Sequence, residues 1–137
     1  MYKRQPVNQI YVSDCEADDV IAYLAQHTYR SERCVIVSSD KDLYQLIYPG
    51  DIWWDYKNKI FSHQDLKNYL GFTPQNLSDY LGLMGDSVDN IPGAPGLGEK
   101  TAMALMCEYK SLDNLMDNID TISDRVGKKF KRFKCRL

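Results

Sequence analysis

The chain has 137 residues, 44% of them hydrophobic and 26% charged, which is enough apolar content for one packed domain or a small domain with an appendage. No run of 18 apolar residues occurs, so no membrane-spanning helix is expected, and the first ten residues (MYKRQPVNQI) lack the apolar stretch of a secretory signal, which points to a cytoplasmic protein. The net charge of −2 conceals a polarity: residues 125–137 hold seven of the 17 basic groups and no acid, leaving 10 basic against 19 acidic groups in the rest of the chain.

An acidic body of this kind suits cations, and a basic end suits phosphates or a solvated final helix. The four cysteines, Cys15, Cys34, Cys107 and Cys135, fall in no CxxC pair and no zinc spacing, as expected of reduced thiols.

In chain order, NQIYV (8–12) reads as a short strand. EADDVIAYLAQHTY (16–29) reads as an amphipathic helix, because Ala17, Val20, Ile21, Leu24 and Ala25 recur at helical spacing. Its first-turn acids suit the positive end of the helix dipole. CVIVSS (34–39) is a continuous apolar run of the kind found in a buried parallel strand, and DKDLYQLI follows as a short helix. DIWWDYKNKIFS predicts a hairpin turning at Lys57-Asn58, with the adjacent Trp53 and Trp54 on opposite faces and one of them in the core. Beyond Ser62 every segment reads as helix: HQDLKNYLG, TPQNLSDYLGLMG, EKTAMALMCEYK and SLDNLMDNI, with Thr73-Pro74 as a start signal. An α/β part, residues 1–70, therefore precedes an all-helical part, residues 71–137.

Three acidic clusters stand out. Glu16, Asp18 and Asp19 open the first helix just after a predicted strand, and Asp40 and Asp42 follow the next strand. In an open parallel sheet the carboxyl ends of the strands face one crevice, where ligands bind. Asp86 and Asp89 form a third cluster, spaced to share a helix face or a helix end. Taken singly, each cluster is an ordinary cap or solvated turn. Taken together, seven carboxylates at one mouth would repel one another, and hard divalent cations relieve that repulsion. Two Mg²⁺ (or Mn²⁺) ions about 4 Å apart can activate a water and stabilise the leaving oxygen of a phosphodiester. His27 and His63 have no partner at ligand spacing and read as surface or packing residues.

IPGAPGLGEKTA (91–102) has the form of a helix–hairpin–helix turn. Gly93, Gly96 and Gly98 permit a sharp turn and close backbone approach, and main-chain N–H groups at the start of the next helix can take a phosphate. Lys100 adds a charge, and Ala102 is small enough for close helix packing. Contacts of this kind read the backbone of DNA and not its base sequence.

EADDVIAYLA, VIVSSDKDLYQLI, MGDSVDNIPGAPGLGEKTA and SLDNLMDNID resemble successive motifs of the 5′-nuclease family, which includes flap endonucleases, phage 5′–3′ exonucleases and the 5′-nuclease domain of bacterial DNA polymerases. The resemblance runs over roughly residues 10–130 in family order. It implies a partial PIN-like α/β parallel-sheet nuclease core followed by a helix–three-turn–helix region. It also implies a first Mg²⁺ held by Glu16 and Asp18 with Asp19 nearby, and a second held by Asp40, Asp42 and Asp86 with Asp89 in support. Gly93, Gly96, Gly98 and Lys100 would grip duplex DNA, with K⁺ in that turn. The implied reaction is hydrolysis of a phosphodiester near a 5′ end or 5′ flap.

Family members carry a strand with a metal-site aspartate, a further aspartate-bearing strand and a basic helical arch before the motif that EADD resembles. This chain has only a few residues before it. The expectation is accordingly one part of a split or truncated nuclease: a piece of a longer chain, one half of an enzyme shared with a separate N-terminal polypeptide, or a chain that has lost activity. A duplex-binding module without catalysis is the alternative, and an RNA-cleaving PIN-like enzyme would share the acidic mouth without needing the glycine turn.

Overall fold

A computed structural model describes residues 7–87, 90–122 and 127. Asp89, Cys135 and the basic segment 125–137, apart from Gly127, lie outside the described residues.

The first helix, α1, spans Ala17–Tyr23 and continues as a π-helical turn over Leu24–Thr28, closed by the Tyr29 N–H donating to the Leu24 carbonyl at 2.8 Å. The sheet has three strands: β1 (Val35–Val37), β2 (Ile52–Trp54) and β3 (Ile60–Ser62). They lie in the order β1-β2-β3, with β1 and β2 parallel and β2 and β3 antiparallel. Between β1 and β2 the chain makes a 3₁₀ turn over Asp42–Leu46, whose Leu43, Tyr44 and Leu46 are buried. The β2–β3 turn is organised by Asp55, whose Oδ1 accepts from the N–H groups of Lys57, Asn58 and Lys59. These bonds, that from Lys59 foremost, hold the Asp55 carboxyl below the usual carboxylate range.

Four helices follow: α2 (His63–Leu70), α3 (Leu77–Met84, entered through a 3₁₀ turn at Pro74–Asn76), α4 (Glu99–Tyr109) and α5 (Leu112–Asp117). Ser62 begins α2 with a capping box. Its hydroxyl accepts from the Asp65 N–H at 3.2 Å, and the Asp65 carboxylate accepts from the Ser62 N–H at 3.0 Å. Gly71, with φ of 78°, closes the helix in the left-handed conformation that glycine adopts without steric cost. Pro74 takes the first helical position as read from sequence, but the Thr73 side chain makes no capping hydrogen bond.

The fold is mixed α/β with a small, partly parallel sheet and a helical second part. One continuous core runs through both, from Ile36 on β1 to Ile119 beyond α5. Trp53 is buried between Tyr44 and Phe61, while Trp54 faces outward on the other side of the strand. Leu66, Leu83, Met106 and Leu115 are fully buried, each contributing about 2 kcal/mol of apolar burial. Ala102 is fully buried too, consistent with close helix packing. Directed hydrogen bonds join the parts. Gln75 Nε2 donates to the Ile47 carbonyl at 2.7 Å, and the Asp79 carboxylate accepts from the Leu112 N–H at 2.9 Å, fixing the start of α5.

One expected element is absent. Residues 8–12 form no strand, and Ile10 and Tyr11 are exposed. An apolar run becomes a strand only where a neighbouring strand takes its backbone hydrogen bonds, and among the described residues none lies beside it. No helix of the described residues is long and apolar enough to cross a membrane.

Candidate active site

Asp18 and Asp19 stand in the first turn of α1, and Asp42 opens the 3₁₀ turn that follows β1. These three acids line one hollow of about 200 Å³, together with Gln26 and Gln45. Helical spacing explains the wall on the α1 side: Asp18, Ala22 and Gln26 recur every four residues and share a face. Asp42 and Gln45, three apart, do the same on the opposite wall.

Glu16 precedes α1 as its N-cap residue and makes no side-chain cap. Its carboxylate is exposed and does not line the hollow. Asp40 is exposed and caps its own loop: its Oδ1 accepts from the Asp42 N–H at 2.9 Å, and its carbonyl oxygen accepts from Trp53 Nε1 at 3.1 Å. The buried indole thus anchors the loop, and Asp40 caps the turn that presents Asp42. Asp86 lies past the end of α3, paired in a short antiparallel bridge with Ile91 at 3.0 and 2.7 Å. It is therefore on no helix face. Asp89 lies outside the described residues.

Of the described carboxylates, Asp18, Asp19 and Asp42 line one hollow, while Glu16, Asp40 and Asp86 are not among its lining residues. Two of the three clusters meet, through Asp18, Asp19 and Asp42. Among the described residues no group of three or more Asp, Glu, His or Cys side chains is spaced to hold a metal ion. The donors are the hard oxygens that Mg²⁺ or Mn²⁺ prefers, but among the described residues their number and spacing do not make a complete cage. His27 stacks on Tyr23 with ring centroids 5.0 Å apart, and His63 is within 3.4 Å of the Gln75 side-chain oxygen, so neither is arranged as a ligand.

The glycine turn forms a second feature. After α3, Gly85 adopts φ of 80° and the chain doubles back so that Gly93 packs against the Met84–Gly85 peptide. The Ala94 N–H donates to the Leu83 carbonyl at 2.8 Å, and Ala94 and Leu97 are buried beneath the turn. Gly96 has φ of 74°, a second position where glycine is favoured. Gly98, the N-cap of α4, differs: its backbone is extended, and a Cβ placed there would meet nothing within 4 Å. The hydrogen-bond ladder of α4 begins at Thr101 N–H to the Gly98 carbonyl, which leaves the preceding N–H groups at the helix end outside the ladder. Lys100 stands exposed beside them.

Sequence reasoning missed Gln26 and Gln45, although both fall on the helical period of the acids they accompany. It also missed Gly85, which is signalled only by its place at the end of an apolar helix.

Comparison with known proteins decides the family. Residues 1–71 match the model of the 5′–3′ exonuclease N-terminal resolvase-like domain, and residues 72–136 match that of the 5′–3′ exonuclease C-terminal SAM fold. The chain belongs to the 5′–3′ exonuclease family. Among relatives of this family, a flap endonuclease of Shewanella pealeana is 39% identical over 124 residues, covering 89% of this chain and 48% of the relative. A 5′–3′ exonuclease of Buchnera aphidicola is 33% identical over 137 residues, covering 98% of this chain and 48% of the relative. The chain thus spans about half the length of the curated 5′–3′ exonucleases and flap endonucleases it matches. A structure of the bacteriophage T5 flap endonuclease with DNA and metal ions superposes with a TM-score of 0.67 at 19% identity, covering 84% of this chain and 44% of that one. That likeness carries the fold.

Proposed function

We propose that this chain forms part of a metal-dependent 5′–3′ exonuclease or flap endonuclease, hydrolysing DNA phosphodiesters near 5′ ends in the cytoplasm. The single observation that carries the reading is the hollow in which Asp18 and Asp19 of α1 meet Asp42 beyond β1. A module that only binds DNA gains nothing from carboxylates gathered near phosphate, because like charges repel. The metal cofactor is read as two Mg²⁺ or Mn²⁺ ions. Its remaining donors would come from the half of the relatives' length that this chain does not span. Glu16, Asp40, Asp86 and Asp89 remain candidates for that site.

DNA contact is assigned to the turn. Gly93 and Gly96 shape it, Gly98 leaves room for a phosphate to approach the backbone, and the N-terminal end of α4 with Lys100 supplies positive potential. K⁺ seated in the turn would neutralise further phosphate charge. Lys100→Ala is expected to weaken duplex binding uniformly across sequences and to reduce the slope of log affinity against log salt by about 0.9, one phosphate contact. Fluorescence anisotropy titrations over a KCl series measure this, and an unchanged slope removes Lys100 from the interface.

The direct test is cleavage of a 5′-flap substrate in Mg²⁺ or Mn²⁺, by the chain alone and with the unspanned portion of a relative added in trans. Cleavage on complementation, abolished by EDTA, is the expected result. Retained duplex binding with no cleavage in either arm would leave the non-catalytic binding module as the function.

A further inference from the structure

Resting on the nuclease reading above, we propose that Trp53 is the positioning residue of the acidic hollow. Its buried indole N–H fixes the loop that presents the Asp42 carboxylate.

The register of the sheet puts Ile36, Trp53 and Phe61 in the row that faces the core, and leaves Val35, Val37 and Ile60 exposed in the outer rows. Of the three inner side chains only the indole carries a hydrogen-bonding group, a donor without acceptor capacity. Trp53 is 2% exposed, so that donor needs a partner within the protein. It finds one in the Asp40 carbonyl, at 3.1 Å, just past the end of β1. A phenyl ring would also fill this row, as Phe61 does beside it. What the indole adds is one directed hydrogen bond to the loop.

The same ring grips the segment a second time. Tyr44 meets Trp53 edge to face, with ring centroids 4.8 Å apart and planes at 88°. Asp42 lies midway between these two anchors, two residues from Asp40 and two from Tyr44. Next along β2, the Trp54 carbonyl accepts from the Ser38 N–H at 3.0 Å. Ser38 Oγ accepts from the Asp40 N–H at 3.0 Å, and Asp40 Oδ1 from the Asp42 N–H at 2.9 Å. Strand β2 thus holds the segment at Ser38, Asp40 and Tyr44, and the exposed Asp42 carboxylate takes its direction from a strand that supplies none of the acids of the hollow.

The test replaces Trp53 with benzothienylalanine, which keeps the bicyclic shape but puts sulfur where the N–H was. Amide hydrogen exchange of the chain alone should speed up about tenfold or more at Asp42 and Tyr44, and stay as in the parent at Ile52 and Ala94. In the complemented nuclease, single-turnover cleavage should fall by about tenfold or more, the loss seen when a partner that orients a ligand is removed. Duplex affinity in EDTA should hold, a split that general destabilisation would not give. Trp53→Phe should lower cleavage at least as far. In the parent, the Trp53 indole proton should exchange far more slowly than that of Trp54, a measurement that needs no variant to fold. Equal indole exchange rates, acceleration spread evenly over the chain, unchanged exchange at Asp42, or full cleavage by the benzothienylalanine protein would each overturn the proposal. A parent that cuts no flap would sink the nuclease reading instead, and the exchange rates would still decide whether Trp53 holds the loop.

Discussion

Gly93→Ala is expected to cost about 3 kcal/mol or more and to abolish duplex binding with it. A Cβ at this position would lie on the Met84 carbonyl group and 2.6 Å from the Gly85 nitrogen, far inside the closest contacts that real Cβ atoms make. Both obstacles are backbone, so no side-chain rotation relieves the clash, and overpacking of this kind forces the chain apart. Gly85 cannot retreat, since its own φ of 80° and its packing against Gly93 fix it from the other side. Gly98→Ala supplies the contrast. Its φ of −95° suits any residue, and its Cβ direction is open. The stability of that variant should stay within about 0.5 kcal/mol of the parent, as surface changes do, while a methyl group at the mouth of the turn lowers DNA affinity. Urea unfolding and anisotropy on the two variants separate the roles. Equal stability loss in both would mean that Gly98 is structural. Undiminished DNA binding by folded Gly98→Ala would remove it from the interface.

The second large effect falls on the acidic hollow. In the complemented nuclease, Asp18→Asn and Asp42→Asn should each lower cleavage by about 100-fold or more. Even partners that merely orient metal ligands cost up to that factor when lost. Duplex binding measured in EDTA should hold or strengthen slightly, because a carboxylate near phosphate has been neutralised. Asp40 should behave differently. Its Oδ1 caps the Asp42 N–H, a bond that an asparagine oxygen can also accept. Asp40→Ala is therefore expected to lose activity by loosening the 3₁₀ turn, and Asp40→Asn to recover much of it. Single-turnover cleavage rates decide between the two. An Asp40→Asn enzyme as inactive as Asp42→Asn would show that Asp40 is a direct metal ligand and not a positioning residue.

Much of this molecule was legible in one dimension because the relevant physics is local. The helical period of Ala17, Val20, Ile21, Leu24 and Ala25 marks α1, though not the π turn that ends it, since that turn depends on which carbonyl the Tyr29 N–H reaches. The continuous run at 34–39 marks β1, the alternation around Trp53 and Trp54 marks β2, and all four later helices fall within the segments that read as helix. The glycine-proline turn announces itself because glycine takes the positive φ of Gly96 without steric cost.

What the chain's order of residues determined by itself is thus the family, the run of elements and the chemistry of the side chains: carboxylates at the start of one helix and after one strand, a glycine turn ahead of a lysine. The tertiary structure alone decided which of those carboxylates meet. Asp18, Asp19 and Asp42 do, because two turns pack face to face. Asp40 instead caps its own loop, its Oδ1 accepting from the Asp42 N–H. Tertiary structure also decided that residues 8–12 are no strand and that the outer rows of the sheet lie bare. Pairing and covering are properties of neighbours in space, and hydrophobic pattern along a chain reports only what each segment could bury if such a neighbour were present.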